Sequence, residues 1–511
     1  MIALLVAATA AGQTLEERRE AVVEFSRYFK KYREVAQRVE AIHSLEGMDC
    51  VEAAAVLLDL VEDREPDVRA AAMQVVGTFR RLETFQSLID GLPQQRDQAR
   101  RALWVEVLTR ARIKQVVPVL VAMLAEDKKL KAAVKYRIAV ALGELGDASA
   151  TESLRTLLRD RDPMVCLGAS DAVGRLAVAE LAPEVIRLLE HDRWQVRSSA
   201  VATLGILRPQ AAVTPLIELM KQGGRLMEDA AEALFLITSL DFGVNPEVWE
   251  VQWAKLMELD WRIPTAAELE KAKESRRRDD AYYGKESGAT SFGGIATTSR
   301  RVMFVIDVSG SMDDRVVEVE RFKAGYADLS KLTIVKTELL RTIDSLDRNT
   351  SFNVVAFASD LTPWKKKLVP ANIVNKSSAK AWVERRQALG GRQAQDLAAA
   401  GLTGTANLAA GKTNTFKALM YPFGIDPGDR RRQGKTAGGS RRGGIDTVYF
   451  LSDGRPSAGK LVDTMEILAA VNEVNASAKI VIHAIAIGDF QRDFLRGLAR
   501  DNGGVFVDLG R

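Results

Sequence analysis

Five oxygen-bearing side chains in the C-terminal part of the 511-residue chain have the types and spacing of ligands for a hard metal ion. Asp307, Ser309 and Ser311 occupy alternate positions at the end of an apolar run, and an extended backbone would point all three to one side. Thr413 lies in GKTNTF, where a loop leads into a helix, and Asp453 follows another apolar run in FLSDG. Hydroxyl and carboxylate oxygens are donors that Mg²⁺ prefers.

Apolar, β-branched runs separated by helical stretches must position these residues. The runs are VMFVIDV, SFNVVAF, DTVYFLSD, KIVIHAIAI and VFVDL. Continuous apolar strands of this kind are buried on both faces, and their alternation with helices predicts an α/β fold with a doubly wound, mainly parallel sheet. Ligands of such sheets bind at the carboxyl ends of the strands, where these side chains are expected.

The order Asp-x-Ser-x-Ser, then Thr, then Asp-Gly resembles the metal-ion-dependent adhesion site of the von Willebrand factor type A family, which has a Rossmann-like fold. The resemblance covers residues 299–511. It implies that Ser309, Ser311 and Thr413 ligate Mg²⁺, or Mn²⁺ or Ca²⁺ in its place. Asp307 and Asp453 would act largely through bound water or hydrogen bonds. An exposed Asp or Glu carboxylate of a protein partner would then complete the coordination of the metal.

One residue departs from the family pattern, which usually has Gly-Gly-Thr where this chain has Gly411-Lys412-Thr413. Lys412 is expected to crowd the site or to add positive charge, which bears on metal affinity. Thr415 is a weaker candidate ligand, for which a role as the capping hydroxyl of the following helix is favoured. His483 lies within an apolar run and is predicted to be a core histidine.

A repeat of 31 residues runs through the N-terminal half of the chain. The interval recurs at two sets of positions that lie nine residues apart: Val134, Val165, Val196 and Met227, and Gly143, Gly174, Gly205 and Leu236. Val68 and Gly77 keep the same offset upstream, so that about six helix pairs are expected. The Val-Arg starts in EPDVRAA and DRWQVRSSA, each leading into an Ala-rich helix, resemble short HEAT repeats. We therefore predict an all-α solenoid over residues 15–262, acting as a scaffold or as a second binding surface.

Trp249, Trp253 and Trp261 end this region. Spacing of four residues on a helix favours packing, so this helix is predicted to cap the last repeat, and a carbohydrate platform is the sharper alternative. Residues 263–298 are charged and then rich in Gly and Ser, which predicts a mobile linker. Within the C-terminal domain, insertion 389–410 is expected to shape the rim of the metal site. The basic loop 429–442 is predicted to be solvated, with contact to an anionic polymer as the alternative.

The composition of the chain excludes some classes of function. The 72 basic and 68 acidic residues leave a net charge of +4, so no specific nucleic-acid binding is expected. Cys50 and Cys166 stand apart from any Cys or His cluster of zinc-ligand spacing, and both are predicted to be buried thiols. Residues 1–13 resemble the remnant of a signal peptide, which predicts export to the periplasm or cell envelope. Their apolar run is too short to span a bilayer.

Three functional hypotheses remain open at this stage. The leading one is a non-catalytic interaction protein, similar to bacterial proteins that join HEAT repeats to a von Willebrand A domain with an adhesion-type site. The alternative is an intracellular co-chaperone that partners an AAA-type ATPase, as some bacterial von Willebrand A proteins do. The third is a hydrolase that uses a metal-bound water, against which the sequence offers no evident general base.

Overall fold

The computed structural model describes residues 14–146, 148–259, 261–283, 290–292, 295–316, 326, 328–390, 411–425, 444–453, 455–487 and 492–509. The chain divides into two compact units, and the boundary falls between Leu207 and Arg208. No helix in the described residues has the length and the apolar content needed to cross a bilayer. Residues 1–13, most of insertion 389–410 and the basic loop lie outside the described residues.

The described part of the first unit is helical. Its helices are α1 (Leu15–Phe29), α2 (Val35–His43), α3 (Val51–Leu60), α4 (Pro66–Val76), α5 (Leu82–Gly91), α6 (Gln98–Arg110), α7 (Val117–Glu126), α8 (Ala132–Leu145), α9 (Thr151–Leu157), α10 (Pro163–Leu176), α11 (Ala182–Arg187) and α12 (Trp194–Leu207). The pairs from α3–α4 to α11–α12 correspond to five of the predicted repeats. The sixth, α13–α14, opens the second unit.

The 31-residue period has a packing cause. Val134, Val165 and Val196 are all buried, each in the first turn of its helix, α8, α10 or α12. A Cβ atom at Gly143 would lie 2.8 Å from the backbone Cα of Ala172, so α8 and α10 approach too closely for any side chain at that point. The recurring glycines therefore mark contacts between successive repeats, and the predicted helical repeat architecture is confirmed. Cys50 and Cys166 are buried free thiols, as predicted.

The second unit begins with four helices: α13 (Val213–Lys221), α14 (Leu226–Thr238), α15 (Pro246–Glu258) and α16 (Ala266–Tyr283). Helix α15 packs on α13. The Trp249 indole is 1% exposed and donates a hydrogen bond of 2.8 Å to the Gly243 carbonyl. Trp253 and Trp261 meet edge to face. Packing is thus the role of Trp249, as its helical spacing predicted.

The segment predicted to be a mobile linker instead contains ordered elements. Helix α16 is attached to α14 through Arg276, which pairs with Glu232 at 2.7 Å and lies 4.4 Å above the Phe235 ring. Leu269 is its buried apolar contact. Residues 266–283 of the predicted linker therefore form a helix, which the sequence did not indicate because the attachments of its described side chains are a charged residue and a leucine, without an apolar period.

The C-terminal domain is an α/β sandwich. Its elements are β1 (Thr290–Phe292), β2 (Ile295–Thr297), β3 (Arg301–Asp307), α17 (Lys331–Ser345), β4 (Ser351–Phe357), β5 (Leu361–Pro363), β6 (Val369–Pro370), α18 (Ile373–Glu384), α19 (Thr415–Met420), β7 (Thr447–Ser452), α20 (Thr464–Ala478), β8 (Val481–Ala486), α21 (Arg492–Asp501) and β9 (Phe506–Asp508). Strands β1 and β2 form an antiparallel hairpin. The main sheet has the order β5-β4-β3-β7-β8-β9, and β6 also pairs with β4.

The main sheet is parallel from β4 to β9, and only β5 and β6 run antiparallel to it. One face packs against α17 and α18 through residues such as Phe304 and Phe352. The other face packs against α19, α20 and α21 through residues such as Val305 and Phe450. Helices on both faces of a mainly parallel sheet confirm the predicted doubly wound fold. The five predicted apolar runs are β3, β4, β7, β8 and β9.

Candidate metal-binding site at the carboxyl edge of the sheet

The carboxyl ends of β3, β4 and β7 lie side by side along one edge of the main sheet, which we call the site edge. Strand β3 is in the middle and is parallel to both neighbours. The chain passes from β3 to β4 on one side and later to β7 on the other, so the strand order reverses at β3. Such a reversal point is where open α/β sheets bind ligands.

The first loop of the site edge holds three of the predicted ligands. Asp307 is the last residue of β3 and is fully buried. The Ser309 amide donates a 2.8 Å hydrogen bond to Oδ1 of Asp307, which folds the loop back over the strand end. The chain then enters a 3₁₀ turn over Gly310–Asp313, and the hydroxyl oxygens of Ser309 and Ser311 are 3.3 Å apart.

The end of β7 joins this loop directly. The Ser311 hydroxyl donates a 2.8 Å hydrogen bond to Oδ1 of Asp453. In return, the Ser452 hydroxyl donates to Oδ2 of Asp307 at 2.6 Å. The structure therefore brings four predicted ligands together, namely Asp307, Ser309, Ser311 and Asp453, and adds Ser452 as a supporting donor that the sequence analysis missed.

Thr413 reaches the same edge through its backbone. The Asn414 amide donates a 2.8 Å hydrogen bond to the carbonyl of Ala358, the residue that directly follows β4. The Thr413 amide donates to the Ser457 hydroxyl at 2.9 Å, and the Ser457 amide donates back to the Thr413 carbonyl at 2.9 Å. Thr413 is 4% exposed. These bonds fix the Thr413 loop between the end of β4 and the loop after Asp453.

Two glycines allow the loops of the site edge to pack against residues 389 and 390. A Cβ atom at Gly411 would lie 2.3 Å from the Leu389 carbonyl oxygen, and one at Gly310 would lie 2.9 Å from that of Gly390. The Leu389 amide also donates a 2.9 Å hydrogen bond to the Val308 carbonyl. The start of insertion 389–410 therefore lines the site edge, as predicted, and residues 391–410 lie outside the described residues.

The site edge concentrates negative charge in a buried place. Burial, followed by the negative charge of Asp453, raises the pKa of Asp307 to about 7. The hydrogen bonds from Ser309 and Ser452 act in the opposite direction, since they stabilise the ionised carboxylate. Two carboxylates held this close favour a nearby cation.

A cation from the chain itself is present. The Lys331 ammonium lies 2.5 Å from Oδ2 of Asp453, and the two side chains are 15% and 0% exposed. Lys331 is the first residue of α17, and Ser330 caps this helix. The Lys331 amide donates a 2.9 Å hydrogen bond to the Asp314 carbonyl. Lys331 could not be identified from the sequence, because a lysine at the start of an amphipathic helix carries no spacing signal.

The remaining sequence predictions had mixed outcomes. Lys412 is exposed, whereas the adjacent Thr413 is buried, and the effect of Lys412 on metal affinity stays a prediction. The prediction that Thr415 caps the following helix was wrong: the side chain of Asn414 accepts from the Lys417 amide at 3.1 Å, and Asn414 is the cap of α19. Thr415 instead enters the first turn with its hydroxyl buried. His483 is a core residue, 4% exposed and stacked on Tyr449, as predicted.

The donor set of the site edge suits Mg²⁺. Its oxygens come from hydroxyls and two carboxylates, and such hard donors match Mg²⁺ and Ca²⁺. Within the described residues, no group of three or more His, Cys, Asp or Glu side chains forms an alternative metal cluster.

The fold and the position of these loops define the class of the C-terminal domain. Residues 324–508 match the family model of the von Willebrand factor type A domain, and residues 85–169 and 153–234 match that of HEAT repeats. The chain therefore contains HEAT repeats followed by a C-terminal von Willebrand factor type A domain. The type A match includes Thr413 and Asp453 and begins after Ser311.

Curated relatives share this C-terminal domain. The human inter-alpha-trypsin inhibitor heavy chain H4 is 27% identical over 213 residues, which are 42% of this chain and 18% of that protein. Heavy chain H1 of Mesocricetus auratus is 25% identical over 211 residues, or 41% of this chain and 18% of the relative. This chain thus spans less than a fifth of these relatives. A solved structure of BatB from Bacteroides thetaiotaomicron is 16% identical, covers 40% of this chain and 88% of that one, and has a TM-score of 0.24.

Proposed function

We propose that this protein is a non-catalytic interaction protein that captures an exposed Asp or Glu carboxylate of a partner protein through a Mg²⁺-dependent site. A von Willebrand factor type A domain with heavy-chain relatives supports a role in protein interaction. The metal ligands would be Asp307, Ser309, Ser311, Thr413 and Asp453. The HEAT repeats serve as a scaffold or as a second binding surface.

The observation that carries this proposal is the pair of hydrogen bonds between the ends of β3 and β7. The Ser311 hydroxyl donates to Asp453, and the Ser452 hydroxyl donates to Asp307. Oxygen donors held in place by such bonds need little rearrangement to bind a hard cation.

Each group has a definable task. The hydroxyls of Ser309, Ser311 and Thr413 would be direct ligands, and the buried carboxylates of Asp307 and Asp453 would act largely through bound water or hydrogen bonds and offset part of the positive charge. When bound, Mg²⁺ supplies a positive centre to which a partner's carboxylate can coordinate. Because neutral hydroxyls make up most of the direct ligands, the bound charge is only partly neutralised, which favours an acidic partner.

The proposed role is binding and not catalysis. In this proposal both carboxylates of the site edge serve to hold the metal and its ligands: Asp307 accepts hydrogen bonds from Ser309 and Ser452, and Asp453 accepts from Ser311 and Lys331. Apart from these two residues, the sequence offers no evident general base for the site. We therefore propose a binding role and no reaction at this edge. We also propose export, on the apolar character of residues 2–11.

A binding experiment tests the function. A fluorescent peptide with one Glu would be titrated with the full chain in Mg²⁺ and in EDTA, beside the same peptide with Gln. The proposal predicts Mg²⁺-dependent binding of the Glu peptide alone, with loss of that binding in Ser311→Ala. Equal binding of both peptides, or binding that persists in EDTA, would rule out carboxylate capture by a metal.

A further inference from the structure

Lys331 contributes a positive charge at the carboxylate that the proposed metal site needs. Its Nζ atom is 2.5 Å from Oδ2 of Asp453, and Oδ1 of the same carboxylate accepts from the Ser311 hydroxyl. Both oxygens of Asp453 are therefore engaged by donors from the chain. The Asp453 side chain is fully buried and that of Lys331 is 15% exposed, so solvent screens their attraction less than that of a surface pair.

A divalent ion and this ammonium group are expected to exclude each other. Both would be stabilised by the single negative charge of Asp453, and both are cations in a poorly screened place. Their mutual repulsion at such short range is far larger than thermal energy. The Lys331 side chain has four rotatable methylene groups and can leave without displacing its backbone.

The position of Lys331 at the start of α17 makes this departure easier. The N-terminus of a helix carries a partial positive charge, so a lysine in the first turn is disfavoured by the helix dipole. The carboxylate of Asp453 offsets that cost. Once a metal neutralises Asp453, the ammonium loses this attraction and gains hydration by turning outwards.

We propose that Lys331 is a tethered competitor of the divalent cation, which occupies Asp453 when the metal is absent and must withdraw from it when the metal binds. This inference rests on the proposed metal site. The lysine stabilises the metal-free domain by pairing a buried carboxylate, and it weakens metal binding by the same interaction. A partner protein would then encounter a metal-loaded site only at Mg²⁺ concentrations high enough to displace the lysine.

Calorimetric titration of the full chain with MgCl₂ tests the competition. Lys331→Met keeps the length and apolar stem of the side chain and removes its charge. We expect the variant to bind Mg²⁺ more tightly by roughly 5- to 150-fold, the usual range of coupling between two binding events. Lys417→Met is the control, because Lys417 forms a 2.8 Å pair with Asp360 that lies outside the ligand set, although this pair is more exposed, at 25% and 77% for the two side chains. The control removes the same charge and should leave the affinity within about twofold.

A second readout does not depend on metal affinity. In EDTA, Lys331→Met should lower the unfolding temperature of the C-terminal domain by several degrees, since Asp453 loses its counter-ion. Saturating Mg²⁺ should raise that temperature more in the variant than in the wild type.

The outcomes separate the two proposals. If the wild type binds Mg²⁺ and Lys331→Met binds it no more tightly than Lys417→Met does, the competition is wrong and the metal site stands. If neither the wild type nor Lys331→Met binds Mg²⁺, the metal site itself is wrong, and the competition fails with it. Binding by Lys331→Met alone would mean that the lysine blocks the site completely, which supports the competition.

Discussion

Ser452→Ala is the sharpest test of how the site edge is held together. Ser452 is not a proposed ligand, and its hydroxyl donates the 2.6 Å hydrogen bond to Oδ2 of Asp307 across two neighbouring strands. Both residues are buried, so no water can easily replace the lost donor. A hydrogen bond to a charged group contributes about 1.5–3 kcal/mol.

The expected loss from Ser452→Ala is therefore about 2 kcal/mol at pH 8, where Asp307 is ionised. For a domain of about 200 residues this corresponds to a fall of about 4–8 °C in the unfolding temperature. Scanning calorimetry of the full chain in EDTA measures it. Mg²⁺ affinity should also drop by about 10- to 100-fold, as is usual when a residue that orients a metal ligand is removed.

Thr415→Val is the matched control, because its buried hydroxyl has no hydrogen-bond partner in the described residues. Removing that hydroxyl should leave the unfolding temperature unchanged or slightly raised. Ser452→Ala with wild-type stability and wild-type Mg²⁺ affinity would refute the view that this bond positions Asp307.

Three further predictions concern the ligand set, the repeats and pH. Thr413→Val should abolish Mg²⁺ binding in a calorimetric titration, whereas Thr415→Val should keep it. The opposite result would show that Thr415, and not Thr413, is the metal ligand. Gly143→Leu should destabilise the first unit by about 1–3 kcal/mol in urea unfolding, because the new side chain collides with α10. Burial raises the pKa of Glu228 and of Asp446 in the folded state. Their contribution to stability is therefore complete at a pH below the pKa values of the unfolded chain, and it is lost as the pH rises through the raised pKa values of the folded state. The unfolding temperature of the second unit in EDTA should thus fall as pH rises above the ordinary carboxyl range, and fall less in Glu228→Gln; an equal fall in both would contradict the assignment to Glu228.

The sequence was most informative where a function depends on residues close together in the chain. Asp307, Ser309 and Ser311 follow one strand, so their spacing alone indicated a shared direction. Asp453 could be added because parallel strands place their carboxyl ends at one edge. The 31-residue period was equally clear, since every repeat meets its neighbours in the same way.

The features that the sequence analysis missed depend on tertiary contacts. Lys331 comes to Asp453 only because its helix starts above the turn that follows Ser311. The cap of α19 could not be assigned with certainty because Asn414 and Thr415 are both capping residue types, and the backbone alone decides between them. Helix α16 was read as a linker because its charged sequence lacks an apolar face.

A hydrogen-bonded connection between the last helix pair and the C-terminal sheet was also invisible in the sequence. The Thr298 amide donates a 2.6 Å hydrogen bond to the Glu228 carboxylate of α14, and the Thr298 hydroxyl donates one of 3.0 Å to the Gly224 carbonyl. Within the second unit, the start of α14 is thereby fixed to the residues that lead into β3. The helices and the sheet of this unit are therefore joined by polar contacts that a flexible linker would not provide.

The most direct test of the account is a calorimetric titration of the full chain with MgCl₂, comparing the wild type with Asp307→Ala and with Asp360→Ala, whose carboxylate is exposed and outside the ligand set. A Mg²⁺ site at the site edge should give saturable binding in the wild type and in Asp360→Ala, and its loss in Asp307→Ala. No saturable binding in the wild type, or unchanged binding in Asp307→Ala, would contradict the proposed Mg²⁺-dependent function.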